Sequence, residues 1–306
     1  MNSIMIFDVE IEYLIAILGI LILGLFAAAV FISIFRLAAE RQKRYIHPLN
    51  LAFFKIEKSF FENQQFSENF YVFLRGFLKD DWLRNFFCGR PFFVFEMAAA
   101  GDDIDFYFGC PKAGKDLVLN EFSKSFPDFK ITEIPAPNYF SPGEKAKGFE
   151  LYLNKHFVLP ILTYLAPNEF LPPVIKVFRE SRGKMAMQVL IRPASYSLKA
   201  IFKKQKRAFL KFDLNSLKFL KQKAQKPAFE LNIRFLSPAK DLMASEINLI
   251  ALKKLFEDTR DKNYNSLKAK EPENQNEFIF NFVFRIFESY KDVILNSEEL
   301  ATVFYL

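Results

Sequence analysis

The chain has 306 residues, 51% of them hydrophobic and 25% charged, with a formal net charge of +7. Ten glycines argue against glycine-rich phosphate loops, and two histidines exclude a histidine-rich metal site. Cys88 and Cys110 have neither CxxC spacing nor a nearby cluster, which suits a reducing compartment rather than a disulfide framework.

From Tyr13 to Phe35 the sequence runs without a charge, and Ser33 is the only hydroxyl after Tyr13. A helix of that length, at about 1.5 Å per residue, covers roughly 35 Å, enough for a hydrocarbon core of about 30 Å. Tyr13 and Phe35 bound this expected membrane anchor. Asp8, Glu10 and Glu12 precede it, and Arg36, Arg41, Lys43 and Arg44 follow. The positive-inside bias then places residues 1–12 outside the cell membrane and everything after Arg36 in the cytoplasm. A cleavable signal peptide would want a basic start, a shorter apolar core and a small-residue cleavage site, and Ala27-Ala28-Ala29 falls mid-span.

After a basic connector (36–48), short periodic segments begin. Residues 49–56 read as a strand, and 68–87 as a helix with Phe70, Phe73, Leu74, Phe77 and Leu78 at helical spacing. Residues 91–98 and 103–109 are aromatic-rich strands joined by a turn at Ala100-Gly101-Asp102. Pro111 opens a helix reaching Phe126, and residues 130–134 close the unit as a strand. The order is β-α-β-β-α-β, that of ferredoxin-like domains. A linker at 135–147 leads to a second unit at 148–290 with the same order. Its strands are expected at 149–153, 185–191, 229–236 and 278–286, and its helices at 169–180 and from Ser237-Pro238 to Asp258. The last helix carries Leu242, Met243, Ile247, Ile250 and Phe256, and the polar tract 258–276 reads as a loop. The expected fold class is α+β: a transmembrane helix, then two tandem ferredoxin-like units (49–134 and 148–290), then a connector at 291–306.

The basicity is local. Ten of the basic residues and one acid fall between Ser195 and Lys226, an insertion in the second unit's central hairpin. Leu198, Phe202, Phe209 and Phe212 line one helical face, while Lys199, Lys203, Lys204, Lys206, Arg207, Lys211, Lys218 and Lys221 occupy others. Such a segment lies on anionic lipid, neutralises nucleic-acid phosphates, or packs its apolar face on its own domain as a solvated hairpin. All three readings stay open at this stage.

From Leu49 onward the chain resembles a membrane-anchored bacterial family related to type IV secretion, conjugative DNA-transfer ATPases. The matching stretches are RPFFVFEMAAAGDDIDFYFGCP, the helix and KITEI after it, QVLIRPA (188–194) and ILNSEELATVFYL (294–306). In that family a transmembrane helix and a tandem region precede a P-loop motor, and the last stretch looks like the connector to it. No G-x-x-x-x-G-K-[ST] occurs here, so the resemblance covers only the family's non-motor region. It implies a scaffold that assembles with a separately encoded P-loop ATPase and forms a homo-oligomer, with nucleic acid contacted weakly or indirectly.

Other candidate chemistry reads as local structure. Asp102 and Asp103 fit a hairpin turn and Asp105 an outward position on its strand, rather than an ion site. Asp80-Asp81 fits a solvated helix face, Cys110 a structural position, and His156 a packed one. No Ser–His–Asp or Cys–His arrangement is present. The sequence therefore predicts no enzyme, no catalytic or metal-binding residue and no cofactor.

Overall fold

In the computed structural model, the described residues are 13, 16–34, 48–57, 68–78, 85, 89–101, 103–161, 170–181, 183–194, 198–201, 203, 214–257, 264–289 and 293–304. The unbroken apolar run forms helix α1 (Ala16–Ile34), and none of its apolar window is buried against the rest of the protein. At about 1.5 Å per residue it is roughly 28 Å long. Among the described residues it is the one helix long and apolar enough to cross a membrane.

The strand segments expected in the first half become β1 (Leu51–Glu57), β2 (Phe93–Ala100), β3 (Asp103–Pro111) and β4 (Lys130–Ile134). Between them lie α2 (Glu68–Phe77) and α3 (Lys115–Ser125). The second half supplies β5 (Lys145–Leu153), α4 (Leu171–Glu180), β6 (Lys184–Pro193), α5 (Leu214–Gln225), β7 (Ala228–Ala239), α6 (Leu242–Leu255) and β8 (Leu267–Lys270). The chain ends with α7 (Gln275–Val283), β9 (Ile294–Asn296) and α8 (Ser297–Val303). All nine strands join one sheet in the order β4-β1-β3-β2-β6-β7-β5-β8, with β9 also on β7. Each strand pairing in it is antiparallel, and β2 pairs β6 with Met97 opposite Met187. The first half thus contributes the order 4-1-3-2 and the second its mirror, 2-3-1-4, meeting edge to edge.

One sheet face carries the main core. Phe70, Tyr71 and Leu74 of α2, Val118 and Phe122 of α3, and Val174 and Phe178 of α4 are fully buried there with Phe93, Phe95, Phe108 and Phe235. The abundant phenylalanines form a contiguous ring cluster, with Phe70–Phe122 at 5.4 Å and Phe95–Phe108 at 5.1 Å. Rings at such separations add about 0.5–1.5 kcal/mol per pair beyond the area they bury.

The other face is polar along its middle. Strand register aligns Thr132, Lys55, Tyr107, Glu96, Gln188, Arg234, Glu150 and Lys270 across eight strands. The helix α7 and residues 284–289 cover the centre of this row.

Four expectations are revised here. Residues 278–286 were expected to close the second sheet as a strand, but 275–283 is helical. The Asn274 side chain caps the helix by accepting from Asn276 and Glu277 backbone N–H groups. At its other end Ile286 N–H donates to Asn281 carbonyl and Arg285 N–H to Phe282 carbonyl, the Schellman pattern. The F-x-F-x-F alternation misleads because Phe280 and Phe284 remain exposed, their tilted rings packing one turn apart at 4.5 Å. The closing strand is instead Leu267–Lys270, inside the tract expected to be a loop, and it pairs with β5. Ser237-Pro238 remains in β7, and α6 starts only after the Asp241 cap. The segment expected as a connector supplies β9 and α8, whose Leu295, Leu300, Val303 and Phe304 are core residues.

Candidate functional site

The basic insertion is only partly displayed. Lys199 and Lys203 are exposed, and α5 turns Lys218 and Lys221 outward while burying Leu220 and Lys223. Lys204, Lys206, Arg207 and Lys211 lie outside the described residues, as do Phe202, Phe209 and Phe212. For the anchor, Tyr13 is exposed, whereas Phe35, Arg36, Arg41, Lys43 and Arg44 lie outside the described residues. The structure therefore gathers half of the proposed basic residues on one insertion and says nothing of the residues that set the anchor's orientation.

Two lysines of the same insertion are drawn inward. Lys223 Nζ lies 2.9 Å from Glu299 Oε2, with both side chains essentially sealed from solvent. Lys223 also donates to the Leu159 and Ile294 carbonyls. Burial lowers its pKa, and the Glu299 charge opposes that shift. Glu299 accepts further bonds from Ile161 and Asn296 N–H, the second completing a capping box at the start of α8. Removing one partner of such a pair costs more than the pair contributes, because a bare charge stays buried. Next to it, Lys226 bridges Glu68 of α2, at 2.8 Å, and Glu298 of α8. The insertion is therefore riveted to the C-terminal segment and to the first half of the chain.

A second polar system sits under α7. Arg234, fully buried, donates to Glu288 Oε2 at 2.6 Å, to the Ile286 carbonyl at 2.8 Å and to Gln188 Oε1 at 3.2 Å. Glu96 accepts from Tyr139 Oη at 2.5 Å, Gln188 Nε2 at 2.7 Å and both Arg285 Nε and Nη2 at 3.1 Å. Burial, and then the Glu96 charge, raise the Tyr139 hydroxyl well above its ordinary pKa, so it stays a donor. Each buried charge faces an opposite charge plus neutral partners, the condition for tolerating it in low dielectric. These residues are spread over β2, β6, β7, the 135–144 segment and the 284–289 segment after α7, which explains why sequence reasoning missed them. The one visible signal is a single polar side chain in each of the apolar runs VFEMA, MQVLI and IRFL.

An open cleft of about 730 Å³ lies where β5 and β8 meet the start of α7, lined by Glu150, Glu273, Glu277, Glu288, Lys270 and Asn274 among others. Among the described residues no group of three or more His, Cys, Asp or Glu converges as a metal site. Asp105 instead pairs with Lys55 at 2.7 Å and accepts from Tyr107 Oη. Asp102 and Asp80-Asp81 lie outside the described residues. Cys110 is fully buried, which pushes its thiol pKa up to about 12 and leaves it protonated and unreactive. His156 is exposed rather than packed in a core, stacking on Phe157 at 4.4 Å while its Nδ1 accepts from Val158 N–H.

No family model and no curated protein matches the chain. Among solved structures it is similar to aclacinomycin oxidoreductase, with 11% identity and a TM-score of 0.32, covering 67% of this chain and 40% of that one. The chain thus spans well under half the length of that enzyme. The expectation that the chain is no enzyme is corrected to an open question, since a protein it resembles is an oxidoreductase. A likeness this distant assigns no reaction in return.

Proposed function

We propose that the chain is a single-pass, membrane-anchored scaffold whose cytoplasmic body assembles a DNA-translocating P-loop ATPase of the type IV secretion kind. The body consists of two ferredoxin-like units, a reading supported by the mirrored strand orders and by the repeated β-α-β-β-α-β connectivity. The observation that carries the proposal is α1, an apolar helix that finds no burial on a body already closed by its own elements. Such a helix reaches a low free energy only in lipid or in another chain. The sequence resemblance supplies the partner class, and the C-terminal rivets give a rigid body of the sort a motor anchor needs. The short N-terminus faces outward and the body faces the cytoplasm.

The exposed lysines of the insertion favour a second reading, in which the body also rests on anionic lipid at about 1 kcal/mol per lysine. One experiment on the full chain tests both. One portion of membranes holding the protein is extracted at alkaline pH, and a second is solubilised in mild detergent at neutral pH and its co-purifying proteins identified. Retention in the membrane together with a P-loop ATPase supports the scaffold, and release into the supernatant or retention without any ATPase sinks it. Amine labelling of Lys199, Lys203, Lys218 and Lys221 in reconstituted vesicles decides the lipid question. Protection in phosphatidylserine vesicles but not in phosphatidylcholine favours it, and equal labelling removes it.

A further inference from the structure

Strand register brings the start of the body and the basic insertion to one end of the sheet. Leu51, where β1 begins, lies opposite Pro111, and Val94 lies opposite Gly109. Phe93 in turn faces Ile191, and Pro193 faces Phe229. The chain therefore enters β1 at the end where β6 runs out into the insertion and β7 returns from it. Three strand spacings, about 14 Å, separate β1 from β6. Leu220 packs the insertion on Val158, and Phe219 packs it on Tyr264. Both contacts lie in the segments that follow β5 and precede β8, at that same end.

Uncompensated charge gathers there. Lys112, Lys199, Lys203, Lys218 and Lys221 are exposed, and none has a carboxylate partner among the described residues. The acids nearby are already engaged: Glu68 and Glu298 by Lys226, Glu299 by Lys223, and Glu230 by Arg192 and Arg90. The opposite end balances its signs. Lys130 pairs with Glu57 and Lys184 with Glu144, while Asp103 and Asp241 offset Lys145 and Lys240.

The tether to α1 favours the same end. Residues 35–47 reach at most about 45 Å. Turning the body over would lift the start of β1 by at least the length of that strand, about 23 Å, and use up half of that reach. Leu49, 70% exposed, stands beside Lys112, whose Nζ lies 3.5 Å from its carbonyl oxygen. A leucine among lysines suits the boundary between headgroups and acyl chains, where a nucleic-acid backbone would leave it unused. We infer that the body docks end-on, with the insertion end of the sheet against an anionic bilayer surface and the β2–β3 turn pointing away from it. The inference rests on the anchored reading above and deepens the lipid reading, by naming the surface and its direction. Tethering to the same membrane raises the effective concentration of that surface, so a handful of lysines suffices.

The test uses the full chain reconstituted in vesicles that contain headgroup spin-labelled lipid, with Cys88→Ser as background and Cys110 left in place because it is buried. Gln222→Cys, exposed on α5, and Met243→Cys, 74% exposed just beyond the far end of β7, each carry a fluorophore. In equal parts phosphatidylserine and phosphatidylcholine, the label at 222 is expected to be quenched several-fold more than the label at 243. In phosphatidylcholine alone that excess should disappear. Lys199→Gln, Lys203→Gln, Lys218→Gln and Lys221→Gln together should abolish it too, without changing the thermal melt. Equal quenching at the two positions, stronger quenching at 243, or an excess that ignores both phosphatidylserine and the four substitutions overturns the inference. An unquenched label at 222 overturns it as well, and a DNA duplex that then binds the parent chain but not the fourfold variant assigns the lysines to nucleic acid. Alkaline extraction of the same vesicles separates the two failures. A resistant protein without the excess loses the docking surface alone, while an extractable one that shows it loses the anchor alone.

Discussion

Arg285 shows what a single residue exchanges for its position. It occupies the left-handed region, at φ 53°, as the residue that ends α7, where glycine is the usual choice. The strain is offset because that backbone aims the guanidinium at Glu96, at the Pro137 carbonyl and over the Phe53 ring. Glu230 is a simpler case. Burial alone would raise its carboxyl pKa, but Arg192 and then Arg90 hold it below the ordinary value. Arg192 Nη2 lies 2.6 Å away and Arg90 Nη1 2.9 Å away. A depressed folded pKa means that the unfolded chain takes up protons first as pH falls. The contribution is fully present above the ordinary carboxylate value of about 4.3 and is lost as pH drops through the folded value. Glu230→Gln should therefore lower stability by about 1–3 kcal/mol at neutral pH. The difference from the parent protein should shrink as pH falls below about 4.3, as read by urea unfolding at neutral and at acidic pH.

At the scale of elements, the placing of α7 decides much of the second half. The helix sits directly on β5 because Gly148 has no side chain: a Cβ there would collide with the Phe278 ring and lie 2.5 Å from the Phe235 carbonyl oxygen. Gln275 then bonds both the N–H and the carbonyl of Gly148, pinning the start of the helix. Gly148→Ala should cost about 1–3 kcal/mol through overpacking. Gly76, inside α2 with open space around its Cβ position, should instead gain about 0.5–1 kcal/mol as alanine. Opposite shifts in melting temperature for the two variants check the assignment, and equal shifts would contradict it. The strands of the first half were readable in sequence because each is a short apolar or β-branched run bounded by turn or break signals. The helix at 275–283 was not, since its alternation arises from two exposed phenylalanines.

For the whole molecule, the C-terminal segment is the fastener. Phe304 is fully buried against Phe95 at 5.3 Å, in the first half of the chain, and its carbonyl accepts from Tyr71 Oη. Ser297 Oγ donates to Glu68 Oε1 of α2 at 2.6 Å, and β9 meanwhile pairs with β7 of the second half. With β2–β6 joining the two halves of the sheet, the body should unfold in one cooperative transition. Phe304→Ala should destabilise it by about 3–5 kcal/mol. Near-ultraviolet circular dichroism of the buried aromatic core and far-ultraviolet circular dichroism should move together in guanidinium, and separated transitions would show that the halves are independent.

The sequence by itself determined the features set by local composition and period. These are an apolar stretch long enough to span a bilayer, the repeated order of strands and helices, and the concentration of lysines between residues 195 and 226. Tertiary structure decided everything that depends on what lies opposite. It turned Lys223 and Lys226 from a basic surface into interior and bridging groups by placing Glu299, Glu298 and Glu68 beside them. It chose which apolar stripe of α6 faces the sheet, a choice periodicity cannot make when both stripes are hydrophobic. It also assembled the Glu96–Gln188–Arg234 row from strands distant in the chain, because the cross-strand register, rather than any local preference, brings those side chains together.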